Sequence, residues 1–370
     1  MRILALFLLL LSCLHGYCYG AAAEPTAPSL YKLALISDDL DHPVSIASNP
    51  TETQRLYVVE RSGTVRVFKD RKLLSTELLN IEEILNSKGP NGLMALAFHP
   101  GYAKNHLIYV YYIDSQGDPV VGQFQSRSDA TTDESTNETT NETLKEDSLQ
   151  VIIKIAQSSP NSNTGSIQFG ADDLLYISTG DGNGDGNRAV AAQAAQSDHS
   201  LLGKLLRIAP LVSKPYQVPS DNPFNGVAGV LPEIWASGFH NPTHFSMDKT
   251  TNRIFLVDAV ASGASEIKLI EKGRNYGIPC SAPNCAIYSA AFPIVGGVVY
   301  RGSRIPALFG LYIFGDAASG TLWALREENN TWKREELLAI HDGKLTSIGV
   351  GPKGELYLTT DSGSLFQLTK

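Results

Sequence analysis

Short runs of alternating apolar and polar residues recur along the chain in pairs, and each pair is joined by a polar turn. Residues 161–187 show the pattern most clearly, because SIQF alternates with the period of two expected for a half-buried strand. The turn-forming sequence GADD follows, and then a second apolar run, LLYIS. The stretch ends in a glycine-rich loop, GDGNGDGN, whose Asp181 and Asp185 suit a ligand or cation rim or, equally, a solvated turn.

The same strand, turn and strand pattern occurs six times, in residues 45–60, 96–113, 166–181, 245–258, 310–325 and 347–368. Repetition of one hairpin at a long period is typical of a β-propeller, in which each copy supplies the inner strands of one blade. A β-sandwich is the alternative, but it does not require the same hairpin six times. The sequence therefore predicts an all-β fold, a six-bladed propeller of four-stranded antiparallel blades.

Two segments lie outside this pattern. Residues 189–206 begin with an alanine-rich run that indicates a short helix or an irregular rim loop before a strand. Residues 126–147 are polar and acidic without an apolar period, so we expect a disordered surface loop there. Asn137 and Asn141 stand in N-x-T sequons, which carry glycans only in a eukaryotic host.

The first 23 residues have the features of a secretory signal peptide: a charged start, a short apolar run and an Ala-Ala-Ala cleavage site. We therefore expect an exported protein, periplasmic or extracellular, with residues 24–370 forming a single propeller domain. A lipid anchor on Cys13 is the alternative. No other apolar run approaches the length of a membrane span. The net charge is −8 and no cluster of basic residues stands out, which argues against a nucleic-acid partner.

Cleavage of the signal peptide would leave two cysteines, Cys280 and Cys285, in the turn-rich sequence PCSAPNC. Export to an oxidising compartment predicts a disulfide between them. A zinc site is disfavoured because no histidine stands next to the two thiols in the sequence.

Several ordered motifs resemble one family, the soluble quinoprotein glucose/sorbosone dehydrogenases. NSNTGSIQFG, the later GDG, GLMALAFHP, LGKLLRI, DNPF, EIWASGFHNP and EIKLIEKGRNYG each match the family pattern in order along nearly the whole mature chain. The resemblance implies a six-bladed propeller that uses pyrroloquinoline quinone (PQQ) and calcium to oxidise aldose sugars.

The resemblance also implies which residues would do the chemistry, and three of them depart from the pattern. The family's general-base histidine falls on Ser162, whereas the carboxylate that orients it falls on Asp181. The arginine that contacts the quinone falls on His240, and a further polar position falls on Pro90. A serine hydroxyl is far too weak a base to replace histidine, although His240 itself offers a relocated base.

The remaining implied positions are contacts to cofactor and metal. Asn161, His240, Asn241 and Thr243 fall where the family contacts PQQ. The backbone carbonyls of Val260 and Ala261 fall at one calcium site, and Glu266 and Tyr276 fall at another.

Two functions follow from the sequence. One is a secreted quinoprotein sugar dehydrogenase with an altered site. The other is a non-catalytic propeller that binds a sugar or other small ligand in its channel, or a protein, as animal relatives of the family do.

Overall fold

The computed structural model describes residues 30–85, 91–126, 131–133, 138–140, 144, 146–157, 164–182, 188–211, 214–260, 263–277 and 285–370. Strands dominate these residues, and the few helices are short. The strands in chain order are β1 Lys32–Ser37, β2 Pro43–Ala47, β3 Arg55–Glu60, β4 Thr64–Lys69, β5 Lys72–Leu73, β6 Leu79–Asn80, β7 Gly92–Phe98, β8 Leu107–Ile113, β9 Pro119–Gln125, β10 Thr131–Asp133, β11 Glu138–Thr140, β12 Gln150–Lys154, β13 Gly165–Phe169, β14 Leu175–Thr179, β15 Lys204–Pro210, β16 Tyr216–Gln217, β17 Ile234–Ser237, β18 Pro242–Asp248, β19 Arg253–Ala259, β20 Ser265–Ile270, β21 Tyr288–Ala290, β22 Ile294–Val299, β23 Tyr312–Asp316, β24 Thr321–Glu328, β25 Thr331–Ala339, β26 Leu345–Val350, β27 Leu356–Thr360 and β28 Leu365–Thr369. The helices are α1 Glu82–Leu85, α2 Tyr102–Asn105 and α3 Arg188–Gln196, and single turns of 3₁₀-helix lie at Glu146–Ser148 and Pro306–Leu308.

Apart from the two-stranded hairpin β10–β11, the described strands form six antiparallel sheets, each a blade, in which most neighbouring strands are successive in the chain. The second, fourth and fifth blades in chain order are β7-β8-β9-β12, β18-β19-β20-β21 and β22-β23-β24-β25. Two blades have five strands, because β5 and β6 both pair with β4, and β16 and β17 both pair with β15. The first strand of each hairpin is innermost: β2, β7, β13, β18, β22 and β26 contact one another in turn and close a ring. The predicted six-bladed propeller is therefore confirmed.

The ring is closed by the two ends of the described chain. Strand β1 pairs antiparallel with β28, with Lys32 opposite Thr369 and Leu33 opposite Leu368, so the sixth blade combines both ends. This joining of the terminal strands is the closure expected from the six hairpins. It covers the outer edge of β28, and β1 becomes the edge strand of this blade.

The core lies between the blades. One example is the stack of Phe255 in the fourth blade on Tyr312 in the fifth, with ring centroids 4.6 Å apart. A larger apolar cluster joins the first and second blades and includes Val59, Leu96 and Val110. Alternate residues of each strand thus supply the packing between neighbouring blades, as the period-two pattern predicts.

One of the two segments outside the hairpin pattern differs from the sequence-based expectation, and the other agrees with it. Within the polar stretch 126–147, β10 and β11 form a short hairpin, and Leu144 is buried beside Leu78 and Leu79 of the first blade. An isolated leucine in a polar run has no periodicity, which is why the pattern did not reveal this contact. In the stretch 189–206, α3 ends at Gln196 and β15 begins at Lys204, so only the first half is helical.

Candidate functional site

Residues on three strands meet at one rim of the channel, where the innermost strands begin. Antiparallel pairing places the end of β14, Thr179, opposite Gly165 at the start of β13. The chain continues from Thr179 to Asp181, whose backbone N–H donates to the carbonyl of His240, 3.0 Å away. His240 in turn lies just before β18. Two loops that are distant in sequence are therefore held together by the backbone.

A histidine and a carboxylate form the centre of this rim. Nδ1 of His240 lies 2.5 Å from Oδ2 of Asp181. The Asp181 side chain is 1% exposed and the His240 side chain is 21% exposed, so the histidine is the member of the pair that a ligand can reach. A buried carboxylate on Nδ1 fixes the ring orientation and favours the imidazolium, which makes Nε2 the nitrogen that exchanges a proton.

Asp258, near the C-terminal end of β19, holds the loop that carries His240. Its carboxylate accepts the backbone N–H groups of His240 at 3.1 Å and Asn241 at 2.8 Å. Lys268 on β20 donates to Asp258 at 3.1 Å and to Glu266 at 2.5 Å. Asp258 and Lys268 are both buried, so this ion pair compensates the carboxylate and fixes the backbone that carries the histidine.

The neighbouring polar side chains complete the rim. The hydroxyl of Thr164, just before β13, donates to Oδ1 of Asn241. The buried hydroxyl of Thr243 has no hydrogen-bond partner among the described residues. Since a buried hydroxyl normally has a partner, Thr243 marks a position where a polar ligand could bind.

Helix α3 is held against the rim by a buried lysine. Nζ of Lys204 donates to the carbonyls of Ala194 and Ala195 at the end of α3, at 3.1 and 2.8 Å, and to that of Leu202 at 2.8 Å. Burial lowers the pKa of Lys204 to about 8. A cation at a helix C-terminus stabilises the helix, so Lys204 couples α3 to the strand beside Asp181.

The structure brings together three of the residues that the sequence singled out, Asp181, His240 and Asn241. It changes the expected partner of Asp181: the carboxylate binds His240, which the family resemblance placed against the quinone. Ser162, Asn161 and Pro90 lie outside the described residues, so their roles stay predictions. Asp258, Lys268 and Thr164 were missed by the sequence reasoning, although an aspartate ending the buried run IFLVD was a usable signal.

The predicted calcium ligands are placed as follows. Val260 donates its backbone N–H to the carbonyl of Ala264, and Ala261 lies outside the described residues. Glu266 binds Lys268, while the hydroxyl of buried Tyr276 donates to the carbonyl of Leu269. Within the described ranges, no cluster of three or more His, Cys, Asp or Glu residues is arranged to hold a metal ion. The calcium sites therefore stay a prediction.

The residues at the rim match PQQ in part. Thr243, Asn241 and His240 offer hydrogen-bonding groups for the oxygens of a quinone. The carboxylates of PQQ need cations, and the lysine beside the pair, Lys268, is already bound by two carboxylates. Beside the histidine–carboxylate pair the hydrogen-bonding half of a quinone site is present, and Arg61, which lies where β2 and β7 begin, is a further cation at this end of the channel.

The far half of the channel is a separate cavity of about 430 Å³. It is lined by the later residues of the six innermost strands, with Phe169, Phe245 and Met247 among them. His240 and Asp181 do not line this cavity, because they lie where the innermost strands begin. The channel thus has two chemically distinct ends, a polar rim and a mainly apolar cavity.

Comparison with known proteins gives three informative similarities. Mouse Hedgehog-interacting protein is 26% identical over 360 residues, which are 90% of this chain but 50% of that protein. Aldose sugar dehydrogenase YliI of Escherichia coli is 24% identical, with 97% of this chain and 96% of that protein covered. The PQQ-bound aldose sugar dehydrogenase of Streptomyces coelicolor shares the fold, with a TM-score of 0.71 at 20% identity over 92% of this chain and 99% of that one.

In the described part of the chain, no helix combines the length and the apolarity needed to span a membrane.

The chain spans about half the length of Hedgehog-interacting protein, whereas it matches nearly the whole length of the bacterial dehydrogenase. A family model described as glucose/sorbosone dehydrogenase matches residues 40–286. The chain therefore belongs to the glucose/sorbosone dehydrogenase family.

Proposed function

We propose that this protein is an exported sugar oxidoreductase in which His240, oriented by Asp181, serves as the general base. The observation that carries the proposal is the contact of His240 Nδ1 with the buried Asp181 carboxylate at 2.5 Å, on a rim that the histidine shares with Asn241 and Thr243. Such a pair is the arrangement that makes a histidine an effective base near neutral pH.

The protein side of the reaction follows from this geometry. Oxidation of an aldose hydroxyl removes a proton from oxygen and a hydride from carbon. Nε2 of His240 takes the proton, and Asp181 stabilises the imidazolium that forms. Asp258 keeps the loop in place through the two backbone N–H groups that it accepts. PQQ, when bound, would accept the hydride, as the Streptomyces relative is a PQQ-bound enzyme.

Reconstitution of residues 24–370 with PQQ and calcium tests the proposal. PQQ binding is followed by its absorbance, and turnover by aldose-dependent reduction of a dye. We expect activity in the parent protein and a loss of about 10²–10⁴-fold in His240→Ala, the usual contribution of a positioned base. His199→Ala, which changes an exposed histidine, is the matched control and should keep full activity.

The double variant Ser162→His with His240→Arg distinguishes the two base positions. It recreates the family arrangement, in which a histidine at position 162 would use Asp181. If the parent is inactive and this variant is active, the family's base position is the working one and His240 is not a base. Full activity of His240→Ala would also contradict the proposal.

The second candidate is a non-catalytic propeller that binds a protein, and the similarity to Hedgehog-interacting protein favours it. The pairing of Lys268 with two carboxylates, which leaves it less able to bind the carboxylates of PQQ, agrees with it. Failure of the parent protein and of the double variant to bind PQQ, together with saturable binding to a Hedgehog protein, would support this candidate over the first.

A further inference from the structure

A groove of about 200 Å³ lies on the side of the propeller where the ring is closed. Arg71, on the turn between β4 and β5, belongs to the first blade. Tyr357 on β27 and Gln367 on β28 belong to the sixth, and Arg304 follows β22 in the fifth. The groove is therefore built by the blades on both sides of the closing seam.

Cations predominate in the lining, although the protein as a whole carries a net charge of −8. Four basic residues line the groove, Arg55, Arg71, Arg304 and Lys353, against the two carboxylates of Asp70 and Glu355, and one of the four, Arg55, is paired with Glu52 at 3.6 Å. An excess of positive charge in a narrow groove attracts anions more strongly than the same charges on a flat surface.

The buried carboxylate of Glu355 offsets one of these positive charges, and it is held by neutral donors. Glu355 accepts the hydroxyl of Tyr300 at 2.6 Å and the backbone N–H groups of Ser303 and Arg304, both at 3.1 Å. These bonds anchor the backbone of the loop that carries Arg304, whose side chain lines the groove. The loop is thus held by its backbone while its charge remains on the groove side.

Arg71 is held by a neutral partner. Its Nη1 donates to Oε1 of Gln367, a buried side chain, at 3.1 Å. An amide orients the guanidinium without cancelling its charge. A planar guanidinium fixed in this way is suited to a bidentate bond with an oxyanion.

Tyr357 lines the groove together with the two arginines. Burial raises its pKa, the charges of Arg71 and Arg304 act in the opposite direction, and the charge of Glu355 raises it further. The phenol stays protonated at neutral pH and can donate a hydrogen bond.

We propose that this groove binds a tetrahedral oxyanion, phosphate or sulfate, free or as a monoester, held by Arg71, Arg304 and Tyr357 with Lys353 adding charge. A bound anion would connect blades on the two sides of the closing seam. Its binding is therefore coupled to the stability of the ring, since a ligand that binds the folded state alone stabilises it. The proposal does not depend on the chemistry at His240.

Calorimetric titration of residues 24–370 with sodium phosphate, sodium sulfate and glucose 6-phosphate, at ionic strength held constant with sodium chloride, tests it. We expect saturable binding of phosphate and sulfate and a rise in the unfolding temperature that chloride does not produce. Tighter binding of glucose 6-phosphate than of phosphate would identify a monoester as the ligand, and weaker binding would identify the free ion.

The variants Arg71→Gln and Arg304→Gln should each weaken phosphate binding by about tenfold or more, as expected for the loss of a charge-assisted hydrogen bond. Lys72→Gln is the matched control. It removes the same charge from an exposed residue beside Arg71 that does not line the groove, and it should change the affinity less than about twofold. Arg71→Lys keeps the charge but loses the planar guanidinium, so its affinity for phosphate should lie between those of Arg71→Gln and Lys72→Gln.

Absence of saturable phosphate and sulfate binding to the parent protein would overturn the proposal. An equal loss of affinity in Lys72→Gln would also overturn it, because the effect would then be a general response to net charge. Circular dichroism of each variant shows whether it is folded, and if Arg71→Gln is not, the Arg304→Gln result decides.

Discussion

At the scale of single residues, the properties of each histidine depend on the side chain with which it forms a hydrogen bond. His240 and Asp181 are 59 positions apart in the chain, yet the rim places them in direct contact. A second histidine, His244, lies only four residues further along and has a different environment. The same side chain is thus partly exposed and paired with a carboxylate in one case, and desolvated inside the channel in the other, which separates their chemistry.

His244 predicts an acid-sensitive fold. Burial lowers its pKa to about 4, despite a hydrogen bond to the backbone of Gly297, whereas an unfolded histidine titrates near 6.5. Between these values the unfolded chain binds more protons, so the free energy of unfolding falls as the pH drops from about 7 to 4. We expect this residue to lower the free energy of unfolding by about 2 kcal/mol at pH 5 relative to pH 7, as measured by urea unfolding.

The variant His244→Gln isolates this contribution. It cannot titrate, so the difference in the free energy of unfolding between pH 7 and pH 5 should shrink by about 2 kcal/mol relative to the parent. His199→Gln, at an exposed position, should leave that difference unchanged. An identical pH dependence in the parent and in His244→Gln would show that the acid sensitivity has another origin.

The sequence located the residues that meet at the rim better than it identified their partners. Asp181, His240 and Asn241 were all singled out from the family motifs, because those motifs fix the order of positions along the chain even where the residue, as at His240, departs from the pattern. The pairing of Asp181 with His240 was beyond the sequence, since the substitution at Ser162 leaves the choice of partner to three-dimensional packing. His99 is a simpler case: its Nδ1 accepts the N–H of Gly101 at 2.9 Å, a turn contact within three residues that local sequence can indicate.

At the scale of secondary-structure elements, the rim depends on how closely β13 and β8 approach. Gly165, the first residue of β13, has a φ of +155° and leaves no room for a side chain beside Tyr111. Tyr111 donates its hydroxyl to the carbonyl of Thr164 at 3.1 Å, which fixes the start of β13. A glycine is required here for both conformation and space.

Gly165→Ala should therefore lower the free energy of unfolding by about 2–4 kcal/mol, combining backbone strain with a steric clash. Gly226→Ala is the matched control: its φ of +81° is also unfavourable for alanine, but no atom lies within 4 Å of the added Cβ. It should cost only about 1–2 kcal/mol. Equal losses in the two variants, measured by denaturant unfolding, would rule out a close-approach requirement at Gly165.

The loop between β20 and β21 carries the predicted disulfide. Cys285 is buried, and Cys280 lies outside the described residues. We expect no reactive thiol when mature protein, residues 24–370, is unfolded without reductant, and two after reduction. Two reactive thiols before reduction would exclude the disulfide.

The elements show where sequence patterns are informative. The six hairpins were predicted because each strand packs one face against a neighbouring blade, which imposes a period of two. The additional strands β5, β6, β16 and β17 are short outer strands of two to four residues, so their pattern is too brief to distinguish from a loop. The β10–β11 hairpin in the acidic segment has no apolar face to reveal it.

At the scale of the whole molecule, the propeller is held closed by strands from the two ends of the described chain. Leu368 on β28 is fully buried and faces Leu33 on β1. Leu368 also packs in the apolar cluster that joins the fifth and sixth blades. Closure therefore depends on packing within a composite blade as well as on the hydrogen bonds between its strands.

Leu368→Asp should open this seam. A carboxylate at a fully buried apolar position cannot stay charged without a partner, so we expect the free energy of unfolding to fall by about 3–5 kcal/mol. The neighbouring Thr369→Asp, at a position that is partly exposed and opposite Lys32, should change it by less than about 1 kcal/mol. Hydrogen exchange should show faster exchange of β1 and β28 in Leu368→Asp than in the inner strands. If β1 and β28 stay as protected as the inner strands while the whole protein is destabilised, closure is not a separable step and the ring unfolds as one unit.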